Sequence, residues 1–269
     1  MINKSITNLQ RTTGKLDILF EENNLINLFQ SGSSKIFIPK TEFKTIEPVI
    51  VNTAGGITDN DQFDHNFSVY NSSHVTFSTQ AAEKIYKSYS QGFGQVRINI
   101  NVSSESSFHW VPQETIIFNE SRFKRNVNVF LEENCSFLSC EIFVLGRKAM
   151  KEILNDCFLL DHWKIYRNKK LIHFEALKIY EPLNIISSKA GLRNNHIIAN
   201  ILYFSDNIFD KLNEIKKIAK ENDTTILSSS SWQNKVVFRI LGNSIIDVRN
   251  LVMQLTEVLR NIPPPKMWA

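Results

Sequence analysis

Residues 96–102, Val-Arg-Ile-Asn-Ile-Asn-Val, alternate apolar and polar side chains without a fault. Neighbouring side chains of an extended chain leave opposite faces, so this stretch keeps one face for water and one for a core. It is a half-buried β-strand, and a sheet built from it needs a second layer to cover it. Residues 123–131 repeat the pattern more loosely, with Val127, Val129 and Leu131 on one side. Further strand candidates are 16–20, 35–38, 48–51, 74–77, 115–118, 136–145 and 158–166. Turn signals such as Ser31-Gly32-Ser33 and Arg167-Asn168-Lys169 separate them. A strand about every ten residues predicts a mainly β fold of stacked, mostly antiparallel sheets. The nineteen phenylalanines, many in short runs that alternate with polar residues, favour strands over helices. No fixed-period repeat stands out, so a regular solenoid does not follow from the sequence.

The last seventy or so residues change character. Residues 197–204 read as a strand, and 206–221 set Ile208, Leu212, Ile215 and Ala219 along one helical face. Residues 224–227 and 235–241 read as two strands joined across 228–234. A second amphipathic helix follows, with Val248, Leu251, Val252, Leu255, Val258, Leu259 and Ile262 on its apolar side. Ser244, three residues before Asp247, is close to a capping-box start, and Pro263-Pro264-Pro265 stops the helix. The expected organisation is one domain over 1–269: a β-rich part to about 195, a β-α-β-β-α segment from about 196 to 262, and a proline tail at 263–269.

A chain of 269 residues buries enough surface to fold without disulfides or a metal. The 31 basic and 27 acidic residues are spread along it. Lys164, Arg167, Lys169 and Lys170 cluster without interleaved aromatics, which reads as a solvated turn rather than a nucleic-acid patch. Cys135, Cys140 and Cys157 form neither a disulfide framework nor a zinc signature and read as buried, inert thiols. Residues 1–5 lack the apolar core of an export signal, and no apolar run approaches the ~20 residues that span a bilayer. The expectation is a cytoplasmic protein with neither membrane nor nucleic acid as a partner.

Three segments invite a functional reading. The first is Asn52-Thr53-Ala54-Gly55-Gly56-Ile57-Thr58-Asp59-Asn60-Asp61, which holds two of only nine glycines. Glycine permits positive φ and close backbone approach, so the segment is either a tight turn or a contact corner that offers carboxylates. The second runs from Thr79 through Gln80, Glu83 and Lys84 to Tyr86; its alanines and Lys84 favour a short helical turn capped by Ser78 or Thr79. The third, Pro112-Gln113-Glu114-Thr115, is a bent entry to a strand. Signatures of catalysis are missing: no phosphate-cradling loop, no nucleophile elbow and no paired zinc histidines. Asp59 and Asp61 form a carboxylate pair, which keeps a hydrolase open as an alternative, although neighbours on one turn match poorly with groups that must face each other across a bond.

Together these segments resemble the urease accessory protein D family, called H in some bacteria. The resemblance rests on Asn-Thr-Ala-Gly-Gly-Ile-Thr at 52–58, Thr-Gln-Ala-Ala-Glu-Lys-Ile-Tyr at 79–86 and Pro-Gln-Glu-Thr-Ile-Ile-Phe at 112–118. Gln30-Ser31-Gly32-Ser33, Gly146-Arg147, Asp161-His162-Trp163 and the closing Pro264-Pro265-Lys266-Met267-Trp268 support it, in order, over nearly the whole length. The chain departs from the family pattern at Asp59-Asn60, where a second glycine pair is usual, and at Lys151, where glycine precedes the glutamate.

The resemblance implies a mostly β, non-catalytic scaffold. It implies binding to urease apoprotein, recruitment of a second accessory protein (F type) and a GTPase (G type), and delivery of nickel in transit, with no tightly bound cofactor. The residues it marks as partner or nickel-path candidates are Asn52, Thr53, Gly55, Gly56, Thr58, Asp59, Asp61, Thr79, Gln80, Glu83, Lys84, Tyr86, Gln113, Glu114, Arg147 and Trp268. Among these Asp61, Glu83 and Glu114 are the candidate metal contacts. A β-rich binding module unrelated to urease is the other alternative.

Overall fold

The computed structural model describes residues 10–41, 45–90, 92–206 and 208–268; residues 1–5, read above for an export signal, lie outside them. The strands in chain order are β1 (Thr13–Glu21), β2 (Asn24–Gly32), β3 (Ser34–Phe37), β4 (Val49–Asn52), β5 (Gln62–Tyr70) and β6 (His74–Thr79). Then come β7 (Glu83–Ile85), β8 (Gly94–Val102), β9 (Ser107–Trp110), β10 (Thr115–Ile117), β11 (Ser121–Leu131) and β12 (Ser136–Leu145). They are followed by β13 (Cys157–Arg167), β14 (Lys170–Ile179), helix α1 (Pro182–Ser187) and β15 (Ile197–Phe204). The chain finishes with α2 (Leu212–Glu221), β16 (Ile226–Trp232), β17 (Lys235–Gly242) and α3 (Ile245–Arg260).

Two sheets stack. One runs β14-β13-β11-β8-β5-β1-β2; the other runs β16-β17-β15-β12-β9-β6-β4-β3, with β10 beside β12 and β7 beside β10. The mainly β, stacked-sheet expectation holds, but the antiparallel part of it is corrected. Along the middle of both sheets the pairings β5–β8, β8–β11, β11–β13, β4–β6, β6–β9 and β9–β12 are all parallel. From β5 to β13 the chain coils: each strand of the first sheet is followed by strands of the second before the path returns, so successive strands in a sheet run the same way. Side-chain alternation is the same in either direction, which is why periodicity cannot tell them apart. The coil also explains the absent repeat. Gln62 pairs with Gln95, Val102 with Leu131 and Ser121 with Cys157, offsets of 33, 29 and 36 residues.

Phenylalanines fill the layer between the sheets. Phe67, Phe77, Phe108 and Phe137 lie in a row at centroid distances of 4.5, 5.0 and 6.1 Å, one or two per turn of the coil. The middle of the second sheet is buried on both faces: β15 has every residue buried, because α2 and α3 cover its far side through Ile215, Val248, Leu251, Val252, Leu255 and Leu259. Ser244 caps α3 by accepting a hydrogen bond from the Asp247 amide at 3.3 Å. Residues 80–82 form a bend leading into β7 rather than a helical turn. There the parallel pairing of Glu83–Ile85 with Thr115–Ile117 overrides the helix propensity of the alanines. Among the described residues no helix is long and apolar enough to cross a membrane.

Candidate functional site

The three motif segments meet at one end of the coil, where consecutive turns stack. Ile57 donates its amide to Lys84 O (2.8 Å) and accepts from the Tyr86 amide (2.8 Å), which joins the first segment to the second. The Glu83 amide donates to Glu114 O (2.9 Å) and the Gln113 amide to Thr79 Oγ1 (2.9 Å), which joins the second to the third. Gly55 sits at φ +75°, and a Cβ on Gly56 would lie 2.3 Å from the Tyr86 ring and 2.7 Å from Lys84 O. The paired glycines therefore let the first turn press against the second. Tyr86 closes the contact by donating its hydroxyl to Gly55 O at 3.0 Å.

Behind this corner a cavity of about 370 Å³ opens between the sheets. Apolar side chains such as Ile57, Phe63, Val96 and Phe123 line it, together with the polar groups of Asn52, Glu83, Gln113, Ser34, His65 and Arg125. Glu83 is its acidic group nearest the corner. Burial pushes its carboxyl up to about 7, against the Asn52 amide, which donates to both carboxylate oxygens at 3.2 Å. His65, deeper inside, is held neutral by burial, its pKa pulled down to about 4. Its Nε2 meets Ser34 Oγ at 2.9 Å, while Nδ1 has no hydrogen-bond partner among the described residues.

The inner wall is ionic. Arg125 pairs with Asp161 through two hydrogen bonds (2.7 and 2.8 Å) and with Glu141 at 2.8 Å. Trp110 Nε1 donates to Glu141 (2.6 Å) and Trp163 Nε1 to Asp161 (3.1 Å). All three charged residues are at most 5% exposed. Burial works against Arg125's charge, but the Asp161 and Glu141 carboxylates outweigh it and raise its pKa. None of His65, Arg125, Glu141 or Asp161 was among the site residues expected from sequence. The signal is nonetheless there: each occupies a slot that alternation or an apolar run reserves for a buried side chain, as Arg125 does between Phe123 and Val127.

The two aspartates of the first segment serve the framework. Asp59 is fully buried and accepts from Arg11 (3.2 Å), the Ser90 amide (2.9 Å), the Ser90 hydroxyl, the Tyr89 amide (3.3 Å) and Thr58 (3.1 Å). Burial would raise its pKa, but those donors together hold it below the usual carboxylate value. Asp61 accepts from the amides of Thr12 (2.8 Å) and Thr58 (2.9 Å), tying the start of β1 to the corner. The pairing of these carboxylates for hydrolysis is thus corrected, since each is engaged by separate donors of the surrounding loops.

The remaining candidates divide. Thr53, Gln80 and Lys84 are exposed around the corner. Glu114 is tied to Arg249 (2.8 Å), which also donates to Gln113 (2.5 Å) and lies 4.8 Å from the Trp268 ring centre. Trp268 is buried, with Nε1 donating to Val111 O at 2.9 Å, so the C-terminal tail packs against the third segment. Arg147 is clasped by Glu152 (2.8 and 3.1 Å) away from the cavity and stacks on Phe118. Both departures from the family pattern fall at left-handed positions, Asn60 at φ +66° and Lys151 at φ +51°. Among the described residues no group of three or more His, Cys, Asp or Glu side chains is arranged to hold a metal ion.

Comparison with known proteins agrees with this convergence of motifs. The profile of the family described as UreD urease accessory protein matches residues 12–269. The urease accessory protein UreD of Rhizobium leguminosarum bv. trifolii (strain WSM2304) is 32% identical over 274 residues, covering 100% of this chain and 99% of that protein. That of Rhizobium etli is 33% identical, covering 90% and 88% respectively, and that of Jannaschia sp. (strain CCS1) is 30% identical, covering 100% and 99%. These proteins are named as accessories of urease, and the reading as a module unrelated to urease falls away. The chain belongs to the UreD family of urease accessory proteins.

Proposed function

We propose that this chain is a non-catalytic scaffold of urease maturation in the cytoplasm. In this reading it binds urease apoprotein, recruits the second accessory protein and the GTPase, and lets nickel pass through its interior on the way to urease. The observation that carries the nickel part is the cavity at which all three family motifs converge, with Glu83 between them. Nickel stands high in the divalent affinity series, so a conduit has to offer ligands weak enough to release it. A carboxyl with a pKa near 7 is such a group, because proton and cation compete for it on nearly equal terms at neutral pH. Inside, neutral His65 is a second weak donor, and the Arg125 cluster keeps its carboxylates engaged and so discourages tight capture.

The test is urease activation in nickel-limited cells that carry Glu83→Gln, which keeps the amide-sized side chain beside Asn52 but removes the charge. Activation falls several-fold and excess nickel restores it, while urease apoprotein still co-purifies with the variant. Unchanged activation at limiting nickel would remove Glu83 from the path. Loss of co-purification would instead point to a docking role for the corner.

A further inference from the structure

Strand β2 ends the seven-stranded sheet, and among the described residues only β1 pairs with it. Soluble proteins blunt such edges with charges, prolines or bulges, because unpaired backbone groups template further pairing. The opposite edge, β14, follows that rule with Lys170, Glu175 and Lys178 along it. β2 carries no charge and no proline in Asn-Leu-Ile-Asn-Leu-Phe-Gln-Ser-Gly. Its one irregularity is the register shift opposite Leu19/Phe20, which leaves residues 27–32 as a regular ladder.

The strand is apolar on both faces. Leu28 lies opposite buried Ile18 and Leu25 opposite buried Phe20, so both face the inter-sheet layer, yet each remains 40% exposed. Phe29, opposite Asp17 on the other face, is 52% exposed. The hydrophobic layer thus runs out to the edge and stops uncovered. Charge says what fits there. Glu21 and Glu22 flank the Asn24 end of the strand, whereas Lys15, beside Ser31, and Lys35 flank the Gly32 end. An antiparallel copy brings the acidic end of one strand to the basic end of the other, and a two-fold axis repeats the match.

We propose that β2 pairs antiparallel with β2 of a second copy of this chain, making one sheet continuous across a two-fold dimer. The axis stands perpendicular to the sheet, so Leu25 and Leu28 of both copies lie on one face and extend the covered layer. Pairing of one strand edge is a small interface, so the dimer is a weak one, roughly micromolar.

Sedimentation equilibrium of the full chain from about 1 to 100 µM tests this. The wild type reports a mass moving from 31.1 kDa towards twice that value. Leu28→Lys with Phe29→Lys, both at exposed positions, leaves a monomer whose circular dichroism is unchanged. Glu22→Lys weakens dimerisation about tenfold, and adding Lys35→Glu restores it, an outcome peculiar to antiparallel self-pairing. A wild type that stays monomeric at 100 µM, or a dimer that survives Leu28→Lys/Phe29→Lys, overturns the proposal. Equal weakening by the single and the double charge variants overturns the antiparallel register.

Discussion

Glu83 and His65 share one cavity and titrate in opposite senses. Glu83's pKa is raised from its ordinary 4.5 to about 7, so the folded chain holds a proton there that the unfolded chain has lost, and stability falls as pH rises across that window. His65 is lowered from 6.5 to about 4, so the unfolded chain holds the extra proton, and stability rises with pH from 4 to 6.5. The two slopes oppose each other where the windows overlap. Glu83→Gln is expected to steepen the gain in stability between pH 4.5 and 6.5 and to stabilise the chain at pH 8 by on the order of 1–3 kcal/mol. Urea titrations at pH 4.5, 6.5 and 8 read both effects. Lys151, held at φ +51° with a side chain that pays a steric penalty there, makes a second prediction at this scale. Lys151→Gly stabilises by about 0.5–1 kcal/mol, seen as a rise in Tm. Asn60 at φ +66° bears less strain, since asparagine tolerates this region better than most residues.

The elements are coupled through the interior more than through their ends. Arg125 on β11 bonds to Asp161 on the neighbouring strand β13 and to Glu141 on β12 of the facing sheet, so one guanidinium ties three strands across the sandwich. Removing one member of a buried ion cluster leaves uncompensated charge. Arg125→Met should therefore cost about 3–5 kcal/mol in chemical denaturation. Adding Glu141→Gln and Asp161→Asn, which keep acceptors for Trp110 and Trp163 without charge, should recover part of that loss. The bend at 80–82 teaches the same lesson about elements. Alanine and lysine favour a helix, but the parallel partner at β10 supplies ladder hydrogen bonds to β7 that an isolated helical turn could not match.

At the scale of the whole molecule, the C-terminal tail and the cavity wall support each other. Met267 O accepts from Gln113 and Arg249 holds Glu114, each across more than 130 residues of sequence, and Trp268 packs under Arg249. Trp268→Ala should destabilise by about 3 kcal/mol. It should also speed amide exchange at residues 110–114 while leaving β14 unaffected. Truncation after Asn261 does at least as much, so any loss of partner binding it causes has to be weighed against the loosened wall.

The half-buried strands, the two C-terminal amphipathic helices, the capping serine and the three motif segments are legible in the sequence because each depends on local pattern. Parallel or antiparallel pairing is not, since both place side chains alternately, and the unequal offsets of 33, 29 and 36 residues erase the repeat that would have betrayed the coil. Family motifs could mark the corner at 52–61 as important, but they could not say which acids face inward. Tertiary structure decided that. It spent Asp59 and Asp61 on backbone amides and neighbouring side chains, turned Glu83 toward the cavity, and set His65 and Arg125 in slots otherwise kept for apolar side chains. A carboxylate's role depends on which donors and charges surround it, and here those come from turns of the coil some thirty residues away in the chain.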